Sequence, residues 1–232
     1  MTLRTDLETA VAGIFKSPWS TTAATVVPDD NSGIPLGNAG RVLDATVLYA
    51  DMNDSTFLVD SYPNTFAAEV YKAYLACAAR IIRSQGGTIT AYDGDRIMAV
   101  YVGASKDTNA IKTGLMINWA VLNIVRPKLK TQYPTCSYEP SGIVGIDASE
   151  LLVAKAGVRG ANDLVWIGRA ANYAAKLSAR KGYPTFITKA SYDRAANVAK
   201  TNGVPPLNMW VNTGVPLGVQ PVYGSTWGWP VV

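Results

Sequence analysis

Val47-Leu48-Tyr49-Ala50-Asp51-Met52-Asn53-Asp54-Ser55-Thr56 is a run of strand-forming residues that stops at a carboxylate and passes into small, polar, turn-prone residues. A buried strand that ends this way delivers an acid to its mouth. An Asp held there, followed by backbone N–H groups and two hydroxyls, suits a divalent metal and a phosphate side by side. The same stretch also reads as an Asp capping the turn after a strand. Alone it leaves both readings open.

Upstream, Val42 to Ala50 is nearly continuous in apolar residues around Asp44 and Thr46, the pattern of a strand covered on both faces. Before it, Pro18 to Ala39 is rich in Pro, Gly, Thr and Asn and has little periodicity, which predicts an extended arm wrapping the domain or a neighbouring subunit. Met1 to Ser17 mixes Arg4, Asp6 and Glu8 into an amphipathic helical pattern and lacks the basic-then-apolar order of a signal peptide. The chain thus divides into an N-terminal helix and arm, 1–41, and one domain, 42–232.

Downstream, Pro63 to Ser84 has helical spacing and stops at Gln85-Gly86-Gly87. Thr88 to Tyr92 and Arg96 to Val102 flank Asp93-Gly94-Asp95, a strong hairpin signal with Asp95 at the tip. Asp107 to Lys130 is a second long helix, apolar over much of its surface. Two strands follow, Ser141 to Ile146 and Leu151 to Ala156, then a loop over Gly157 to Asp163. Leu164 to Ala179 turns from strand to helix at Gly168, with Asn172 and Lys176 one turn apart on one helical face. Short elements, Thr185 to Ile187, Ser191 to Ala199, Leu207 to Val211 and Val219 to Tyr223, complete the chain. This order predicts an α+β domain with helices packed on a mostly antiparallel sheet.

Composition excludes several kinds of chemistry. The 232 residues include no His, so a Ser-His or Cys-His nucleophile, a His-ligated zinc and an imidazole base are ruled out. Cys77 and Cys136 are too few and too far apart for a disulfide framework and read as reduced thiols in a cytoplasmic protein. The net charge of +4 is scattered, with no basic block to track a nucleic acid, and matches a small polyanion better. Thr113 to Val125 is shorter than the ~20 residues of a membrane span, and the tail from Thr201 to Val232, which carries no charge, is interrupted by Gly and Pro. No membrane span is expected, and short strands and an interface are expected of the tail.

Asp51 and Asp95 leave separate strands and would meet on one rim if the first strand and the hairpin are neighbours. Two acids with oxygen ligands only, away from His and Cys, suit Mg²⁺ or Mn²⁺. A paired-ion site of that kind serves phosphoryl chemistry. Two turn carboxylates is the alternative.

Three motifs now occur in a specific order: Tyr49 to Thr56, Gly87-Thr88 through Gly94-Asp95-Arg96-Ile97-Met98-Ala99-Val100-Tyr101, and Ile167-Gly168-Arg169-Ala170-Ala171-Asn172-Tyr173-Ala174-Ala175-Lys176-Leu177. Over roughly Leu43 to Tyr223 the chain resembles the class III nucleotidyl cyclases, and within them it is most similar to the bacterial pyrimidine cyclases of the Pycsar antiphage systems. The resemblance implies a cyclase fold with a ferredoxin-like core. It also implies two Mg²⁺ or Mn²⁺ ions per site, held by Asp51, Asp95 and the Met52 backbone carbonyl. The amides of Asn53, Asp54, Ser55 and Thr56 would cradle the triphosphate, Asn172 would orient the ribose, and Lys176 would stabilise charge on the reacting phosphate. Family members are head-to-tail homodimers with active sites at the subunit interface, so Asn172 and Lys176 would serve the partner's metal site. A separate cyclic-nucleotide-sensing effector is a further implication.

Departures from the family pattern sharpen the expectation. Ala91 and Val165 stand where purine cyclases carry the polar residues that read the base, so a purine edge would go unread. Tyr49 would fill space a purine needs and offer its hydroxyl to a smaller ring, or would simply pack in the core. Arg96 is a second candidate for base or phosphate contact, and a solvated hairpin residue otherwise. Lys176 stands where Arg is usual, keeping the charge and losing the bidentate fork. Asp54 stands where Gly is frequent and reads as a turn residue rather than a ligand. Val211-Asn212-Thr213-Gly214 replaces the segment that brings a phosphate-binding Lys, leaving Arg159, Arg169 and Lys155 as possible substitutes. The expected activity is cyclisation of UTP to 3′,5′-cyclic UMP. The alternatives are CTP cyclisation, then an adenylate cyclase, then a cyclase fold that binds nucleotide without turnover.

Overall fold

The structure, a computed structural model, describes residues 2–232. Helix α1 (Leu3–Lys16) is capped by the Thr2 side chain and leads into β1 (Ser20–Ala23). The long central strand β2 (Ala39–Met52) follows, then α2 (Ser55–Ser61) and α3 (Asn64–Ser84). The hairpin is β3 (Thr88–Asp93) and β4 (Arg96–Tyr101), with Gly94 at φ +61° making the turn that a side chain would strain. Helix α4 (Lys106–Ala120) runs through a π turn, Val121–Val125, into α5 (Arg126–Gln132). Then come β5 (Gly142–Val158), β6 (Ala161–Ile167), α6 (Arg169–Ser178), β7 (Thr185–Thr188) and α7 (Lys189–Arg194). The tail holds four short strands: β8 (Thr201–Asn202), β9 (Leu207–Asn208), β10 (Val211–Asn212) and β11 (Val222–Ser225).

The main sheet runs β10-β11-β7-β5-β2-β4-β3, with β1 and β6 pairing the far halves of β2 and β5. Pairing is antiparallel except for β5 with β7 and β1 with β2. The expected α+β class, mostly antiparallel and helix-covered, is what the chain forms.

Strand periodicity sorts the two faces. Leu48, Ala50 and Met52 point into the large core under α3 and α4, with Val70, Tyr74, Ile82, Ile111 and Leu115. Leu43, Ala45 and Val47 point to the other face, where Ala170, Ala171 and Ala174 of α6 cover them. Gly145 lets α6 come close, because a Cβ there would overlap the Ala174 carbonyl.

Several boundaries differ from expectation, each for a physical reason. Ser141 to Ile146 and Leu151 to Ala156 are one strand, because the polar run between them is not a turn. Asp147 is fully buried, and Arg169 Nε donates to it at 2.9 Å while Thr188 Oγ1 donates to its other oxygen. Gly157 to Asp163 is a hairpin rather than a loop, with β6 starting at Ala161. The arm is tied to the sheet by β1, and β2 starts three residues before Val42. The second long helix contains a π turn just before Pro127, whose missing N–H cannot serve the carbonyl one turn back. Ser55–Ser61 forms a helix where only a turn was read.

Candidate active site

The site sits where β2 ends and β4 and β5 begin. Asp51, the penultimate residue of β2, lies opposite Arg96 on one side and Ile143 on the other. Asp93 pairs with Arg96 in turn, so one row across the sheet reads Asp93, Arg96, Asp51, Ile143. The row two residues before it reads Ala91, Met98, Tyr49, Gly145. Met98 lies in the cluster under α6, with Tyr49 packed at its edge. Residues two apart on a strand share a face, so Asp51 lies on this face too. The hairpin and the first strand are therefore neighbours, and their acids share one rim.

The electrostatics bear the same mark. Burial pushes the Asp51 carboxyl up to about 6, with the Asp95 carboxylate across the rim adding to the rise and Arg96 opposing it. Arg96 forms its ion pair with Asp93. Tyr49 is half-buried and its hydroxyl is raised above the ordinary phenol range, mainly by burial. Beneath the site, the buried Tyr74 hydroxyl donates to the Asp51 carbonyl at 3.2 Å, and Gly142 leaves room for that ring. The Met52 side chain is buried in the core under α3, so only its backbone faces the rim.

The turn after Met52 is fixed from β5. The Asn53 amide donates to the Ser141 carbonyl at 2.9 Å and is committed there, which takes it out of the expected four-amide cradle. Ser55 and Thr56 open α2, and their amides have no intrahelical acceptor. Asp54 adopts φ +55°, the left-handed region that glycine enters without strain. Among the described residues no group of three or more acidic, Cys or His side chains converges.

Asn172 and Lys176 lie exposed, one turn apart on α6. Among the described residues no hydrogen bond or ion pair joins them to Asp51 or Asp95. Val165 pairs with Ala154, nine residues along β5 from Gly145, the neighbour of Tyr49. That is roughly 30 Å at about 3.3 Å per residue. One chain cannot close both positions on one base.

Of the substitute cations, Arg169 is excluded by its bonds to Asp147 and the Ala148 carbonyl. Arg159 sits in the β5–β6 turn, and Lys155 lies in the β5 segment bridged to Leu36. A different cation adjoins the turn. A cleft of about 500 Å³ is lined by Asn53, Asp54, Arg126, Ser141 and Lys181. Arg126 is engaged by Glu139 and the Pro140 carbonyl, whereas Lys181 is exposed and has no ion-pair partner among the described residues. Sequence reading missed Lys181 because its neighbourhood depends on the start of β7 lying beside the start of β5.

This fold and rim define a class III nucleotidyl cyclase catalytic domain. Among solved structures, the adenylyl cyclase CyaB from P. aeruginosa superposes with TM-score 0.68 at 19% identity, covering 80% of this chain and 95% of that one. The guanylyl cyclase Cya2 superposes at 0.67 and 19% identity, covering 82% and 94%. At such identities the likeness concerns the fold alone. Sequence relatives go further. The chain is 45% identical over 232 residues to the uridylate cyclase of Xanthomonas perforans and 44% over 234 residues to that of Burkholderia cepacia, with 100% of each chain covered. The uridylate cyclase of Rhodovulum sp. is 36% identical over 205 residues, covering 86% of this chain and 85% of its own length. No family model matches the chain. The chain belongs to the uridylate cyclase family of nucleotidyl cyclases. Among the described residues, no helix is long and apolar enough to cross a membrane.

Proposed function

We propose that this nucleotidyl cyclase converts UTP to 3′,5′-cyclic UMP and pyrophosphate at sites shared between two copies of the chain. The observation that carries the choice of base is full-length identity of 44–45% to uridylate cyclases. Its physical counterpart is the row Ala91, Met98, Tyr49, in which the only polar side-chain atom is the Tyr49 hydroxyl. A purine edge would leave its donors and acceptors unpaired there, while a smaller ring fits beside one phenol.

The rim suits divalent cations. Asp51, Asp95 and the Met52 carbonyl offer only hard oxygen donors, and the Asp51 carboxyl is raised first by burial and then by the neighbouring Asp95 charge, with Arg96 opposing only in part. Bound there, two Mg²⁺ or Mn²⁺ ions supply charge stabilisation at the α-phosphate and lower the pKa of the ribose 3′-hydroxyl. The protein's own part is to place the reactants. Asp54 to Thr56 receive the triphosphate, with Lys181 beside the turn as the cation for its distal phosphates. Asn172 and Lys176 of a second copy orient the ribose and neutralise charge on the reacting phosphate. The 3′-hydroxyl gives its proton to water and its oxygen bonds to the α-phosphorus, as the bond from that phosphorus to the bridging oxygen of pyrophosphate breaks. The separation of the Asp51 rim from Val165 along β5 supports a head-to-tail pair of chains. By likeness to the Pycsar cyclases, the cyclic nucleotide signals phage infection in the cytoplasm to a separate sensing effector.

Incubating the purified chain with UTP, CTP, ATP or GTP and Mn²⁺ tests the substrate. Cyclic UMP should dominate; dominant cyclic CMP or a purine product would replace this reading. For the defence role, cyclic UMP should rise on phage challenge in cells carrying the intact chain and not in cells carrying Asp51→Asn. Equal levels before and after challenge would remove it.

A further inference from the structure

Helix α1 buries none of its fourteen residues. Its apolar residues nevertheless form one stripe: Leu3, Leu7, Val11, Ile14 and Phe15 recur at spacings of three, four and one, and they are 49–84% exposed. A helix of this length is marginal in water unless a packed face supports it. Its polar side is finished, with the Thr2 cap and an Arg4–Glu8 pair at 2.8 Å. Its root is also fixed: Asn38 Nδ2 donates to the Ile14 and Ser17 carbonyls, each at 2.7 Å, and β1 pairs with β2 from Ser20 and Ala39 onward. The helix is therefore held at a set place on the body with its apolar side bare.

That place identifies the occupant. Gly40 of β2 pairs with Ala154, and Ala154 pairs with Val165, so α1 springs from the end of the sheet that carries Val165. This is the end that shared sites require to meet the Asp51 end of another copy. The Asp51 end carries exposed apolar side chains of its own, Phe57 and Val59 on α2 and Tyr92 beside the hairpin. A helix of this length spans about 21 Å, enough to reach across such a boundary. Charge argues against a membrane surface: α1 carries Arg4, Asp6, Glu8 and Lys16, which balance, whereas interfacial helices are rich in Lys and Arg.

We propose that α1 is a dimerisation arm whose apolar stripe docks on the Asp51 end of a second copy of this chain. The inference rests on the shared-site reading above, and the test separates the two. Sedimentation of the full chain measures self-association, comparing the parent with Leu7→Asp/Ile14→Asp and with the polar-face control Asp6→Lys. Because α1 contributes nothing to the chain's own core, both variants should keep the parent's near-ultraviolet circular dichroism, the stripe variant losing at most the helical signal of α1 and the stability that self-association adds. The stripe variant should dissociate with at least a tenfold higher Kd and lose activity on dilution, regaining it at high protein concentration, while the control matches the parent. Unchanged self-association of the stripe variant would overturn the inference, as would stripe-dependent binding of the parent to phosphatidylglycerol vesicles. Mixing Asp51→Asn with Lys176→Ala tests site sharing separately: recovered activity upholds it whatever α1 does, and no recovery removes the basis for placing α1 at the Asp51 end.

Discussion

Asp51 and Arg96 are direct cross-strand partners at the open end of β2 and β4, yet the guanidinium of Arg96 pairs with Asp93 instead. Among the described residues the Asp51 carboxylate is thus left without a salt bridge, beside Asp95 and half out of water. An acid meant only for stability would be paired or solvated. Under the proposed function the partner of Asp51 is a divalent cation.

Asp51→Asn should therefore separate activity from stability. Removing a charge that is both partly desolvated and repelled by Asp95 should leave the melting temperature of metal-free protein equal to or above the parent's, while cyclase turnover falls by at least a hundredfold. Thermal melts in EDTA and a product assay with Mn²⁺ check both halves. Near-full turnover would show that Asp51 is not needed, and a markedly lower melting point would show that its charge is structural.

Under the proposed function Tyr49 limits which base enters. It stands two residues before Asp51 on the same face, in a row with Met98 and Ala91. Tyr49→Ala would open space without adding a polar reader, so UTP should lose kcat/KM by ten- to a hundredfold and ATP or GTP should lose little or gain. Tyr49→Phe keeps the volume and removes the hydroxyl, so purines should stay excluded while UTP weakens. Competition assays with all four nucleotides measure the ratio. An unchanged ratio in both variants would return Tyr49 to a packing role.

Lys181 lines the same cleft as Asn53 and Asp54 and has no ion-pair partner among the described residues. Lys181→Met should raise KM for the nucleotide and the inhibition constant for pyrophosphate by about tenfold, the size of one charge-assisted contact of roughly 1.4 kcal/mol. A contact confined to the distal phosphates would change kcat less than KM. Unaltered pyrophosphate inhibition would assign the missing cation elsewhere.

Local chemistry made much of this fold legible in the sequence. The hairpin at Asp93-Gly94-Asp95 follows from backbone geometry that only a few residues accept, and the core helices follow from spacing. The Asp51–Asp95 rim came from two strand ends and one neighbour relation. The errors share a cause. Asp147 in mid-strand looked like a break because its partners, Arg169 and Thr188, are 22 and 41 residues away. Arg169 looked like a free cation for the same reason. Lys181 was passed over because its place depends on a parallel β5–β7 pairing that no local pattern encodes. The exposed stripe of α1 was legible as amphipathic, but its lack of cover is a property of the folded chain.

Asp107 offers a test of burial against pairing. It opens α4 with its side chain buried, accepting from Thr46 Oγ1 at 2.9 Å and facing Lys106 Nζ at 3.5 Å, while Lys106 also serves Asp44 at 2.9 Å. Burial outweighs these partners and raises its carboxyl above the ordinary 3.8. A raised folded value means that folding takes up a proton in this window. The site's stabilising effect is complete below about pH 3.8 and is lost as pH climbs through the folded value. Asn cannot ionise and still accepts from Thr46. The stability of Asp107→Asn relative to the parent should therefore increase as pH rises from 3 toward neutrality and level off above the folded value. Urea unfolding across that range measures the difference. A variant that instead loses ground as pH rises would show that the ionised Asp107–Lys106 pair is net stabilising.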